Sequence, residues 1–324
     1  MVELNDQLVD KMSVSNRHIL RQGPVLAALG RTAFFAMRQR LHRAPGAAGA
    51  PVTPGPEVYR SRPRLPRELI DDYLQHVGGD PRAYQGEVPP HLFPQWCMPA
   101  LARGLEGLPY PLLRAVNGGC RVRVQGRVPD DEPLVARARL QGIDVSDRRV
   151  VLHQHLTTGA RSRPDALAID FYTIVPIAHG GTKSSNATDA LKKEAAPEKE
   201  RPRVPEGARE ILRTKRHKDA GLAFAKLTGD FNPIHWLTPY ARASGFPNVI
   251  QHGFASLALC WEALTQRLLA GDVHAMQSFD VKLSRPLVLP RDVGVYVRGS
   301  DVFVGDGPGE PAYLTGSFTA KGVS

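Results

Sequence analysis

A carboxylate and an imidazole stand five positions apart in this 324-residue chain. They are Asp230 and His235, within Leu227-Thr228-Gly229-Asp230-Phe231-Asn232-Pro233-Ile234-His235, which is followed by Tyr240-Ala241 and by Ile250-Gln251-His252-Gly253-Phe254. Such a pair can hold one water or one substrate proton between an acceptor and a general base. The residues around the pair supply the geometry. Gly229 can take the left-handed conformation that closes a helix and turns Asp230 out of the bend. Asn232 before Pro233 is an N-cap followed by a first-turn proline, which starts a short second helix and orients Ile234 and His235. Thr238-Pro239 repeats the device. Downstream, His252-Gly253 opens a long apolar helix. Unpaired backbone N–H groups at that start, with no side chain at Gly253, suit a carbonyl oxygen that gains negative charge. An acid/base pair plus an oxyanion site points to reaction beside an activated carbonyl, and adding water across an enoyl thioester double bond, or the reverse, needs that combination.

The elements that must hold these residues read as two similar bodies behind an arm. Residues 11–43 carry seven Lys or Arg, no Asp or Glu, and an apolar stripe Leu26, Leu29, Ala33, Met37, Leu41 at helical spacing. This basic amphipathic helix has three readings: a membrane-surface anchor, a carrier-protein dock, or a helix packed on the main body, the last slightly favoured. Residues 44–66 read as a Pro/Gly/Ala linker and 178–205 as a more polar one. The expected division is therefore 1–66 arm, 67–177 first body, 178–205 linker and 206–324 second body.

The first body opens with a helical pattern at ELIDDYLQHV, and a second helix follows through PPHLFPQWCMPALARGL, where Pro94 and Pro99 should kink or shorten it. Strands follow, with Cys120, Val122 and Val124 inward and Arg121, Arg123 and Gln125 outward, then runs at 133–140, 149–157 and 166–175. The second body repeats the order: a helix at 220–227, the Gly-Asp loop, a long apolar helix at about 254–269 stopped at Gly271, and strands at 278–283, 293–297 and 312–318. HVGGDPRAYQ around Asp80 lies against KLTGDFNPIH around Asp230, which reads as a duplication. Alternating strands leave one face needing cover, so each copy should wrap an antiparallel sheet around its apolar helix.

LTGDFNPIHW with the following YA and IQHGF is similar to the MaoC-like dehydratases, the hydratase 2 or (R)-specific enoyl-CoA hydratase family. The resemblance is strong over about residues 213–290 and weaker over 67–177. It implies an α+β chain of two tandem hotdog folds, the first degenerate and accommodating the acyl chain, the second catalytic. It also implies a hydro-lyase acting on acyl-CoA or acyl carrier protein thioesters in fatty-acid or polyketide metabolism. Carried over by position, Asp230 and His235 match the catalytic pair, Asn232 the supporting asparagine, and Gly253 with His252 the thioester-binding start of the helix. No cofactor is implied beyond the coenzyme A or phosphopantetheine of the substrate. In the first copy Asp80 persists, but Arg82, Ala83 and Gln85 stand at the asparagine, proline and histidine positions, so one active site per chain is expected. The alternative reading is a non-catalytic scaffold that binds acyl thioesters.

Composition limits the rest. At 42% apolar and 23% charged the chain is globular, and its net charge is +10. Residues 1–64 hold ten Lys or Arg and four Asp or Glu, so most of the excess lies in the arm and nucleic acid is not the expected ligand; the basic segments also lack aromatic interleaving. Cys97, Cys120 and Cys260 are too scattered for a disulfide framework or zinc knuckle, and no run approaches a membrane span. A cytoplasmic place is expected, with the arm as a candidate contact to the membrane's inner face and a homodimer left open. His153 and His155 share a strand face and could begin a metal site, but no third ligand is near in sequence and no metal is assigned. Arg213, Lys215, Arg216 and Lys218 read either as a phosphate-binding cluster or as a solvated strand, an ambiguity shared by Lys282 and Arg285. If the arm only docks, deletion of residues 1–62 should spare turnover; if it packs on the core, folding should be lost.

Overall fold

The structure, a computed structural model, describes residues 14–23, 27, 30, 51–177 and 201–322. Ten strands form one antiparallel sheet: β1 Val58–Arg62, β2 Val116–Val124, β3 Leu134–Val145, β4 Arg149–Ala160, β5 Arg163–Pro176, β6 Arg209–Arg216, β7 Met276–Leu283, β8 Arg291–Arg298, β9 Asp301–Gly305 and β10 Ala312–Ala320. Their spatial order is β1-β3-β4-β5-β2-β7-β10-β9-β8-β6. The second half of that order is the first half reversed, strand for strand, so the duplication read from the Gly-Asp segments is present in the topology. Each half is a hotdog unit, and the two meet where β2 pairs with β7. At that seam Cys120 faces Val281 and Val122 faces Phe279, all buried, while Arg121 pairs with Asp280 on the outer face.

Among the described residues five helices pack on the sheet: α1 Arg67–His76, α2 Pro94–Gly104, α3 Ala220–Thr228, α4 Thr238–Ala243 and α5 Gly253–Arg267. Helix α5 is buried along almost its whole length, with Leu257, Trp261 and Leu264 at or near zero exposure. Full burial is worth roughly 1.5–3 kcal/mol for an aliphatic side chain of this size, which is why a helix apolar on all faces is stable only as a core element. Its counterpart α2 is shorter, 11 residues against 15, as its prolines led us to expect. Pro94 sits at the first helical position and Pro99 inside. Pro99 has no N–H, so it leaves the Gln95 carbonyl without its helical donor; the Arg62 guanidinium donates to that oxygen at 2.8 Å instead.

Three boundaries differ from the sequence reading. Strand β1 lies within the segment expected to be linker, 44–66, and pairs in register with β3 from Val58↔Ala138 to Arg62↔Leu134; five residues whose apolar side chains, Val58 and Tyr59, are adjacent give too little alternation to read as a strand. β9 was likewise not anticipated, and β6 corresponds only to the strand reading of the Arg213–Lys218 cluster. Most of the helix expected over 11–43, including every residue of its apolar stripe, lies outside the described residues, as does most of the 178–205 linker. What is described of the arm, a 3-10 turn at Asn16–Arg21, packs on the body: His18 is fully buried, with Nε2 2.7 Å from Asp72 Oδ2 on α1. The arm therefore contributes to the core, and a deletion of 1–62 would remove both β1 and this contact.

The halves are also tied together by buried polar groups. Glu262 of α5, 2% exposed, accepts from Tyr84 Oη at 2.7 Å and from His91 Nε2 at 2.8 Å, and Tyr73 Oη lies 3.0 Å from His91 Nδ1. Burial, with the Glu262 charge adding to it, holds both tyrosines well above their usual range. Removing one partner of a buried charged network strands the others, at about 3–5 kcal/mol. Glu262→Ala should therefore lower stability by about that amount in chemical denaturation, and Glu262→Gln, which keeps an acceptor, by less. Equal and small losses would show that the network does not hold the halves together.

Candidate active site

Helix α3 ends where the sequence places its stop: Gly229 has φ 84° and its N–H returns to Ala225 O at 2.7 Å. The left-handed turn is sterically open to glycine and costly to most other residues. Thr228 is buried and its Oγ1 donates back to Phe224 O. Asp230 follows with its side chain 36% exposed, and its Oδ1 accepts from Asn232 N at 3.3 Å. Asn232 caps the 3-10 turn Pro233–His235 by accepting from Ile234 N at 3.3 Å. The capped turn carries His235 inward to 8% exposure.

Two reciprocal hydrogen bonds lock this turn to the approach to α5. Ile250 N donates to Ile234 O at 3.1 Å, and His235 Nδ1 lies 2.8 Å from Ile250 O. A carbonyl oxygen can only accept, so the proton is on Nδ1 and the Nε2 lone pair of neutral His235 is left free to act as a base. Burial lowers the His235 pKa, with the Asp230 carboxylate and the Ile250 hydrogen bond acting against it. His252, the N-cap of α5, is buried, and its ring stacks on His235 with centroids 3.7 Å apart. Its Nε2 donates to Asp230 O at 3.0 Å, by the same carbonyl argument. Burial first, and the neighbouring His235 second, push its pKa down to about 3. Asp230, His235 and His252 thus converge, each offering one atom within 4.8 Å of the others. This spacing can hold a water between carboxylate and imidazole, and is also the spacing of a metal site, a grouping the sequence reading did not anticipate because it took His252 only as part of the helix start.

Gly253 is the first residue of α5, so the helix N-terminus begins one residue from the stacked ring. A Cβ on Gly253 would meet Leu283 Cδ1 at 2.1 Å, the movable end of a side chain. The tighter constraint is at Gly221 in α3, where a Cβ would meet the His235 carbonyl oxygen at 1.9 Å. Backbone cannot step aside as a methyl can, so only glycine at 221 lets α3 lie against the turn that carries His235. Gly221 was missed in the sequence because nothing local marks it; its neighbour is 14 positions away.

Of the two readings of the Arg213–Lys218 cluster, the solvated strand fails at Arg216. The end of β6 is not solvated there: Arg216 is 2% exposed and its Nε donates to Gln251 Oε1 at 3.0 Å, while Gln251 Nε2 donates to Ser256 Oγ at 2.9 Å in the first turn of α5. These contacts fix the segment just before His252. In the first half, Asp80 caps its own turn by accepting from Arg82 N at 2.9 Å and pairs with the Arg82 side chain, a structural role. His153 and His155 do find a third group, across the sheet on β5: Asp170 Oδ1 lies 3.0 Å from each, and Oδ2 accepts from Arg123. Burial there raises the Asp170 pKa, but the hydrogen bonds from His155, His153 and Arg123 outweigh it and bring it to about 2.

Residues 189–308 match the family model described as MaoC like domain. The chain is similar to the peroxisomal enoyl-CoA hydratase 2 of Arabidopsis thaliana, at 20% identity over 181 residues, 55% of this chain and 59% of the relative. It is also similar to 3-hydroxyacyl-thioester dehydratase X of Mycobacterium tuberculosis, at 35% identity over 78 residues, 24% of this chain and 26% of the relative. The matches thus span about three fifths and about a quarter of the two curated relatives. The crystal structure of HtdX from Mycobacterium tuberculosis has a TM-score of 0.62 at 16% identity, covering 82% of this chain and 100% of that one. At that identity the likeness shows the fold.

The site has a pH signature. His76 of α1, buried behind it, is also pushed down to about 3, by burial first and then by Arg216 and His252. Free histidines titrate near 6.5, so between about pH 6.5 and 3 the unfolded chain binds protons that the folded one refuses. Stability from keeping His76 and His252 neutral is full above pH 6.5 and is lost as pH falls through that window. The thermal midpoint should fall steadily from pH 7 to 4.5, and less steeply in His76→Phe; a flat profile in the wild type would contradict the burial of neutral rings.

Proposed function

We propose that this chain hydrates enoyl thioesters to (R)-3-hydroxyacyl thioesters, or runs the reverse dehydration, with Asp230 and His235 as its catalytic pair. The observation that carries the reading is the His235 Nδ1–H bond to Ile250 O, which leaves an unprotonated Nε2 in a ring grouped with the Asp230 carboxylate at the N-terminus of a buried 15-residue helix. The MaoC like match over 189–308 and the two relatives named for enoyl-CoA and 3-hydroxyacyl-thioester chemistry support it.

In this reading Asp230 and His235 orient a water. His235 Nε2 takes its proton as the oxygen attacks C3 of the enoyl chain. The electron pair of the double bond moves towards the thioester, whose oxygen gains charge, and the Gly253 N–H stabilises it with the α5 dipole behind. C2 then receives a proton on the same face from the catalytic pair, so that water adds without any cofactor. Asn232 acts through the cap that sets the turn, and His252 through the stacked ring and its hold on the Asp230 carbonyl. The substrate's acyl carrier is coenzyme A or a phosphopantetheine-bearing protein, and the reading puts the reaction in the cytoplasm.

Asp230→Asn and His235→Gln should each reduce hydration of trans-2-enoyl-CoA by at least about 10²–10⁴-fold, the range for loss of a positioned base, while circular dichroism and elution volume stay those of the wild type. The decline of enoyl absorbance checks this over C4 to C16 substrates, repeated with acyl carrier protein thioesters. Wild-type rates in either variant would remove the pair from the reaction.

A further inference from the structure

The carbonyls of the last turn of α3 have lost their helical donors. Asp230 N and Phe231 N, the groups that would bond Lys226 O and Leu227 O in a longer helix, turn instead to Thr228 Oγ1 at 3.5 Å and Gly229 O at 3.0 Å. The arm supplies the replacement. Gln22 is fully buried, and its Nε2 donates to Lys226 O at 3.0 Å and to Leu227 O at 3.1 Å. These are the carbonyls three and four residues before Asp230.

Gln22 is itself held on both sides. Its Oε1 accepts from Gln95 Nε2 of α2 at 3.1 Å, and Gln95 is fully buried. Arg62 of β1 donates to Gln95 Oε1 at 3.2 Å and to the carbonyl that Pro99 leaves open at 2.8 Å, and to Arg21 O at 2.9 Å. Lys226 Nζ returns a bond to Val14 O at 3.1 Å, and Arg17 pairs with Glu68. A continuous chain of hydrogen bonds thus runs from β1 and α2 of the first unit, through one arm side chain, to the end of the helix that delivers Asp230.

We propose that Gln22 is a positioning residue for the catalytic turn, holding the last turn of α3 so that Gly229-Asp230 keeps its place relative to His235; its effect on turnover rests on the hydratase reading above. An apolar side chain at 22 takes this donor from the buried Leu227 carbonyl and the part-buried Lys226 carbonyl, and the turn regains water by moving outward. A displacement of about 1 Å at reacting groups can cost on the order of 100-fold in rate, while a substrate held elsewhere in the site binds as before.

The test is Gln22→Leu in the full-length chain, with kcat and KM for an enoyl-CoA and site-resolved hydrogen exchange. The expected result is kcat lower by about 10- to 100-fold with KM within about twofold, and faster exchange confined to residues 226–232, with β4 amides unchanged. Exchange needs no turnover, so if the wild type hydrates no enoyl thioester the function fails while exchange still decides the role of Gln22. If Gln22→Leu does not fold, Lys226→Met, which removes only the bond to Val14 O, should give the same pattern at smaller amplitude. Wild-type kcat and exchange at 226–232, or faster exchange spread evenly over the whole chain, would overturn the proposal.

Discussion

The contact on which the site depends is the two-way bond between the turn carrying His235 and the segment ahead of α5: Ile250 N to Ile234 O and His235 Nδ1 to Ile250 O. One half of it is ordinary backbone pairing. The other uses a side chain, and it sets the tautomer of a buried imidazole. Because the acceptor is a carbonyl, His235 cannot reverse its protonation without losing that bond inside the protein, where an unmet polar group costs about 1–3 kcal/mol. The same rule at His252, bonded to the Asp230 carbonyl, gives two stacked rings with opposite nitrogens committed. Gly221 permits the close approach of α3, and the Arg216–Gln251–Ser256 chain holds the segment from the other side.

Duplication explains why one such site is built and not two. Both units share the strand order and a Gly-Asp turn, yet in the first the aspartate is spent on Arg82 and no histidine follows at Gln85. A polar network occupies the corresponding region instead, with His91, Tyr73 and Tyr84 gathered on Glu262 of the second unit's helix. The first unit thus acts as a brace: its α1, α2 and β1 reach the end of α3, just before Asp230, through the arm.

Local chemistry was legible in the sequence, and long-range chemistry was not. Gly229, Asn232 and Pro233 announce their roles because a cap or a left-handed turn depends on neighbours within a few positions, and the alternation of Cys120, Val122 and Val124 marks the inward face of β2. The short strands β1, β6 and β9 carry weak alternation, and the basic residues along β6 were compatible with a phosphate-binding cluster or a solvated strand, whereas Arg216 ends buried. Gly221, Gln22 and Asp170 draw their meaning from partners 14, 204 and 15 positions away, which periodicity cannot show. The turn that brings Asp230 and His235 together was readable, since its caps and its left-handed glycine lie within nine residues.

In the proposed reaction a single one-sided pair, Asp230 and His235, delivers both the hydroxyl and the proton. The most direct measurement is the stereochemistry of hydration of a trans-2-enoyl-CoA in deuterium oxide, read by proton NMR of the product. One diastereomer is expected, an (R)-3-hydroxyacyl thioester with deuterium at C2 on the face that received the hydroxyl. A 3S alcohol, addition to opposite faces, or a mixture at C2 would contradict it.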